Sequence, residues 1–197
     1  METTAIQTSL REGTGKGTNR RLRAEGKMPA VLYGHGIEAP VNVVVDPRNL
    51  EMALRHPKGF NALLPLNVEG AGAHEVLVRE VQRHPVSRRI QHVDFVAPDP
   101  AKEIVSVVPL KITGKSIGVS LGGRLRTPYK TVKVVSLPKD IPASIDIDIT
   151  ELNIMDETKA SELNVAEGAR VLFDRDFVVV KVVQARGAKK KEEEEEG

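Results

Sequence analysis

The chain has 197 residues, with 29 Lys and Arg against 27 Asp and Glu, and 40% of the residues are hydrophobic. That length suits one or two domains, and the near-balance of charge excludes both a histone-like basic chain and an acidic solvating one. Cysteine is absent, which excludes a disulfide scaffold, a thiolate zinc site and a cysteine nucleophile.

In chain order, METTAIQTSLREG at the start lacks a basic region followed by an apolar one, so no signal peptide is read. No apolar run approaches the roughly 18 residues of a membrane span, and the expected location is cytoplasmic. A short helix is predicted over 18–25, with Gly26 as its terminator. Strands follow at PAVLY (29–33) and VNVVV (41–45), built on residues of the Val, Ile and Leu class and punctuated by Gly, Pro and Asn. A second helix is predicted after Asp46, a good N-cap, because Pro47 suits the first helical position, where its missing N–H costs nothing. Leu50, Ala53 and Leu54 keep helical spacing before Pro57. Three more strands are predicted, NALLPLNV (61–68), HEVLVREV (74–81) and RRIQHVDFV (88–96).

Ala97-Pro98-Asp99-Pro100 marks the best domain boundary, because two prolines interrupt a strand ladder and stiffen a connector. It divides a first domain, 1–97, from a second, 98–186. The second carries strands at KEIVSVVPLKIT (102–113), KTVKVVSL (130–137), ASIDIDIT (143–150) and FVVVKVV (177–183), while GKSIGVSLGG and LNIMDETKASELNVAEG read as loops or short turns. The last segment, GAKKKEEEEEG (187–197), is a charged block expected to stay disordered. The fold class is therefore mainly β with a few short helices.

Charge is unevenly spread. Setting aside Glu192 to Glu196 leaves 22 acids against 29 cations, a charge of +7 on the body. Between residues 11 and 27 stand Arg11, Lys16, Arg20, Arg21, Arg23 and Lys27, opposed only by Glu12 and Glu25. The glycines of GTGKGTNRRLRAEGK (13–27) fit neither a phosphate loop nor a dinucleotide fingerprint: Gly15-Lys16 is followed by Gly17, and position 10 is Leu. What survives is electrostatic. On a helix from Thr18, Arg20, Arg23 and Lys27 form one basic stripe, and the Gly-Lys-Gly lead-in leaves backbone N–H groups open to an anion. Arginine forks suit phosphates and guanine edges. A solvated helix face is the plainer alternative.

On the strand 88–96, His92 and Asp94 share one face and Val93 and Phe95 the other. The polar face can read nucleic acid: Asp accepts from base amino groups, and His donates to phosphate or ribose. A satisfied surface pair is the plainer alternative. A catalytic pair would need a nucleophile such as Ser87, and there is no Gly-x-Ser-x-Gly elbow. His35, His56, His74 and His84 lack metal-ligand spacing, so neither metal nor cofactor is expected. Ser144, Asp146 and Asp148 alternate with isoleucines as an ordinary half-exposed strand does. Aromatic residues are scarce, with Phe60 and Phe95 expected in the core, so an RNA partner should be paired RNA read by shape, phosphate and selected edges. Tyr33, in Leu32-Tyr33-Gly34-His35-Gly36, can reach a ribose or base.

These residues resemble a known family. Arg11, Gly15-Lys16-Gly17, Asn19-Arg20-Arg21-Leu22-Arg23 and Lys27-Met28-Pro29-Ala30-Val31-Leu32-Tyr33-Gly34 look like the opening of the bacterial large-subunit ribosomal protein that binds 5S ribosomal RNA. Val81-Gln82-Arg83-His84-Pro85 and Gln91-His92-Val93-Asp94-Phe95-Val96 resemble its later signature, in the same order. Pro138-Lys139-Asp140-Ile141-Pro142 resembles the added domain of the long form, the general stress protein Ctc family. The resemblance implies a small N-terminal β-barrel bound to the loop E region of 5S ribosomal RNA, with RNA contacts at Arg11, Lys16, Asn19, Arg20, Arg21, Tyr33, Gln82, His92 and Asp94. Arg23 joins them from the basic stripe. Many relatives have Ser where this chain has Asn19.

The expected function is that of a structural, non-enzymatic constituent of the large ribosomal subunit. It would act as a monomer within the ribosome, with 5S ribosomal RNA and other large-subunit components as partners and a β-rich second domain as a brace. A stress-linked translation factor that binds the ribosome transiently is the alternative, and a hydrolase using His92 and Asp94 a third reading.

Overall fold

A computed structural model describes residues 5–70, 72–166, 168–173 and 175–184. The charged block 187–197 lies outside the described residues. The chain forms two compact units. One runs to Ile104 and takes in Leu137–Ala143; the other comprises Val105–Ser136 and the chain from Ser144 onward.

The first unit consists of β1 (Ile6–Leu10), α1 (Lys16–Ala24), β2 (Met28–Gly34), β3 (Val41–Val45), α2 (Pro47–Ala53), β4 (Leu64–Val68), β5 (Gly72–Arg83) and β6 (Ile90–Ala97). The strands close into a barrel in the order β1-β3-β2-β6-β5-β4. Closure comes from the parallel pairing of β1 with β4, Ile6 opposite Leu66. β2 and β6 are also parallel, with Val31 opposite Asp94 and Tyr33 opposite Val96. The resemblance implied such a barrel, and alternation fills it. Val93 and Phe95 are fully buried with Ala30, Leu32, Val43, Leu64, Leu66 and Val76, while His92 and Asp94 face outward. Side chains at alternate positions of a strand take opposite faces, so one strand supplies both core and surface.

α2 forms as the residues dictate: the Asp46 carboxylate accepts from the Arg48 N–H at 2.8 Å, Pro47 opens the helix, and Leu50 and Ala53 are buried. Gly34 closes β2 at φ 125°, and a Cβ there would lie 2.3 Å from the Ala97 carbonyl oxygen. Only glycine lets these parallel strands meet so closely.

Several expectations need correction. The sequence gives no sign of β1, because IQTSL places Thr8 rather than a hydrophobic residue in an inward position and leaves Leu10 exposed. Phe60 is not a core residue; it is 50% exposed, on a 3-10 turn over Gly59–Asn61 that delays β4 until Leu64. α1 begins at Lys16, two residues before the predicted start, so Gly17 lies within its first turn and Lys27 lies beyond its end.

The second unit holds β7 (Ile104–Thr113, from Val105), α3 (Ile117–Ser120), β8 (Arg124–Arg126), β9 (Thr131–Ser136), β10 (Ile145–Asp148), β11 (Glu157–Lys159), β12 (Ala169–Val171) and β13 (Val178–Val183). β10-β7-β9-β12 form one sheet and β11-β13-β8 another. Ile147, Ile149, Ala160, Val179 and Val180 are buried together, as the Ile/Asp alternation of 144–149 requires. Two segments read as loops or short turns carry regular structure, α3 in one and β11 in the other. Both are too short to show a period.

Candidate nucleic-acid interface

The outer face of β2, β6 and β5 gathers residues that are far apart in sequence. On β6, Nδ1 of His92 lies 2.8 Å from Oδ1 of Asp94, with alignment short of a hydrogen bond. Across the antiparallel pairing, Gln82 stands opposite His92 and Glu80 opposite Asp94, and the Gln82 amide donates to Glu80 at 3.3 Å. A bulge between Val78 and Glu80 sets that register. On the other flank, Tyr33 shares its face with Val31, which is opposite Asp94. Tyr33, Gln82, His92 and Asp94 are thus brought onto one three-stranded surface. Its carboxylates can accept hydrogen bonds, and its imidazole, amide and phenol can donate them.

α1 supplies the positive charge. It follows Gly15 at φ 100° with no side-chain cap, contains no acid in its first turn, and buries none of its residues. Its first N–H groups are therefore open to an anion, and the macrodipole favours one there. Gly26, at φ 79°, turns the chain away after the helix. Lys16, Arg20, Arg21 and Lys27 are exposed, and none has a side-chain hydrogen bond or ion pair among the described residues.

Arg11, Asn19 and Arg23 are placed differently. Arg11 is a clamp: Nη1 donates to the Asn19 side-chain oxygen at 2.5 Å and Nη2 to that of Asn42 at 2.6 Å. Its Nε is buried without a hydrogen-bond partner among the described residues. Arg23 folds back onto β6, where Nε and Nη2 both donate to the Gln91 carbonyl, at 3.1 and 3.0 Å. The predicted stripe of Arg20, Arg23 and Lys27 is therefore corrected. Arg20 is free on the helix, Arg23 fastens the helix to the barrel, and Lys27 is off the helix.

Two residues past Tyr33 in the chain, His35 Nδ1 lies 3.6 Å from Asp99 Oδ2, and Lys102 Nζ lies 3.2 Å from it. The Ala101 N–H above all, with Lys102 and His35, holds the Asp99 carboxyl below its ordinary pKa. Ser87, considered as a nucleophile, sits in the β5–β6 turn, past the last strand pair, and gives its N–H to His84. Among the described residues no group of three or more His, Asp or Glu could hold a metal, and no helix is long and apolar enough to cross a membrane. The turn around Arg83, Arg88 and Arg89 is a further basic cluster, to which the motif reading assigns no role. Its signal is the four cationic or imidazole side chains of QRHPVSRR.

The sequence model of the Ribosomal L25p family matches residues 6–95, the barrel and its helices. That of the ribosomal protein TL5 C-terminal domain matches residues 103–186. The chain belongs to the large-subunit ribosomal protein bL25 family, in its long two-domain form. Relatives bearing the name large ribosomal subunit protein bL25 align along nearly the whole chain. That of Syntrophotalea carbinolica is 40% identical over 98% of this chain and 92% of its own. Those of Moorella thermoacetica and Carboxydothermus hydrogenoformans are 35% and 36% identical, over 99% and 96% of this chain and 94% and 93% of theirs. As a family member, the chain combines the polar barrel face and the unpaired helix cations in the domain that the family shares.

Proposed function

We propose that this protein is a structural constituent of the large ribosomal subunit whose barrel, 1–97, binds 5S ribosomal RNA at loop E. The second domain, 98–186, braces other large-subunit components and does no chemistry. The observation that carries the reading is the convergence of Tyr33, Gln82, His92 and Asp94 on one barrel face, with α1 fastened beside it at Gln91. Lys16, Arg20 and Arg21 meet phosphates, which position the protein, while the barrel face reads base edges, which gives specificity. With few exposed aromatic rings, the site suits a paired, reshaped groove better than an unstacked single strand.

Binding to 5S RNA with intact and with disrupted loop E, measured across a salt series, tests this. The intact RNA should bind more tightly at every salt concentration. The slope of log affinity against log salt should reflect about 0.7 to 0.9 per neutralised phosphate. Equal affinity for both RNAs overturns the loop E reading.

A further inference from the structure

The turn between β5 and β6 has features that barrel closure alone does not need. The His84 N–H donates to the Arg89 carbonyl at 2.9 Å and the Arg88 N–H to the His84 carbonyl at 2.9 Å. The His84 ring completes the turn, its Nδ1 accepting from the N–H groups of Val86 and Ser87 at 3.2 and 3.1 Å. A neutral ring that accepts at Nδ1 carries its proton on Nε2, so the turn presents one more donor. Arg88 adopts φ 59°, in the left-handed region. Glycine or asparagine takes that backbone at lower cost, so arginine here brings charge at the expense of conformational ease. Val86, at the apex, is 85% exposed.

This rigid turn forms one wall of an open cleft of about 330 Å³. Arg89, His84 and Ser87 line it from the turn, Arg23 and Lys27 from the α1 segment, and Glu51 is its one acid among the described residues. Arg88 and Arg89 are exposed, and neither side chain has an ion pair or hydrogen bond among the described residues.

We propose that the 83–90 turn is a second phosphate-binding element, which takes the backbone of an RNA strand into this cleft. The inference rests on the RNA-binding reading above and extends its footprint. RNA is the occupant that fits, because the cleft is continuous with α1: Arg23 and Lys27 belong to the segment that also displays Lys16, Arg20 and Arg21. A strand whose phosphates meet the helix is delivered to the turn. The turn meets phosphate and sugar, so it adds affinity without discriminating sequence.

The test uses the full chain and 5S RNA with intact or disrupted loop E. In the variant Arg88→Asn, Arg89→Gln, asparagine tolerates the left-handed backbone, so the thermal midpoint should hold. Affinity for both RNAs should fall by about tenfold at low salt, and the salt slope by about 0.7 to 0.9 for each phosphate that is no longer neutralised. The preference for intact loop E should not change. Arg88→Lys, Arg89→Lys should keep most of the slope. A variant slope equal to that of the parent overturns this inference alone, including the case in which the turn meets an acidic protein surface. A parent chain that fails to bind 5S RNA overturns the underlying reading instead.

Discussion

Arg11 and Arg21 carry the same group in opposite settings. Arg11 spends its guanidinium on two asparagine side chains, one of them on α1, whereas Arg21 is exposed without an ion pair among the described residues. Their removal should therefore have different consequences. Arg11→Ala frees Asn19 and Asn42 and loosens the start of α1, which should cost about 1–2 kcal/mol of stability in a thermal or urea melt, with RNA affinity falling as a result. Arg20→Ala with Arg21→Ala should leave the melt within about 0.5 kcal/mol and lower both RNA affinity and salt slope. A double variant that unfolds early, or that binds with the parent's slope, would place these arginines in the scaffold. Such roles are not legible in the sequence. Arg11 and Arg23 each look like an RNA contact when read along the chain, and the partners that engage them here are remote: Asn42 lies 31 residues from Arg11, and Gln91 lies 68 from Arg23.

At the scale of elements, the barrel is legible where alternation is strong and not where it is weak. β6 can be read because Val93 and Phe95 alternate with His92 and Asp94. β2 can be read from its apolar run Ala30-Val31-Leu32 and β3 from its valines. β1 cannot, and neither can β8, β11 and β12, each of three residues, because so short a strand shows no period and forms only where a neighbour offers a free edge. α1 is legible in kind but not in extent, since Gly17 argues against a helix that nonetheless includes it. A nine-residue helix that buries no residue has little to hold it: isolated helices of this length are marginal, and most helical stability comes from packing. Its hold on the barrel includes the Arg23 bonds to the Gln91 carbonyl. Arg23→Ala should therefore raise amide exchange across 16–24 by about fivefold, the equivalent of about 1 kcal/mol for one exposed interaction, and leave β2, β5 and β6 unchanged. Uniform acceleration across the barrel would show that the helix and strands open together.

At the scale of the whole molecule, the formal charge of +2 conceals the distribution that matters for an RNA partner. Five consecutive glutamates, Glu192 to Glu196, offset most of the +7 carried by the rest of the chain. They lie outside the described residues, yet their effect on association follows from electrostatics alone. The long-range field that steers a protein to a polyanion depends on total charge, whereas recognition of one groove depends on contacts made after arrival. A chain ending at Lys191 should therefore associate with 5S RNA faster at low ionic strength, by up to about tenfold. The gain should vanish toward 1 M salt, where the screening length falls to about 3 Å. The increase should be equal for RNA with intact and with disrupted loop E, since steering reads phosphate rather than sequence. Stopped-flow association across a salt series measures both rates. An increase confined to the intact RNA would mean that the glutamates act at the reading face itself, and no increase at low salt would mean that they do not screen the cations of α1 at all.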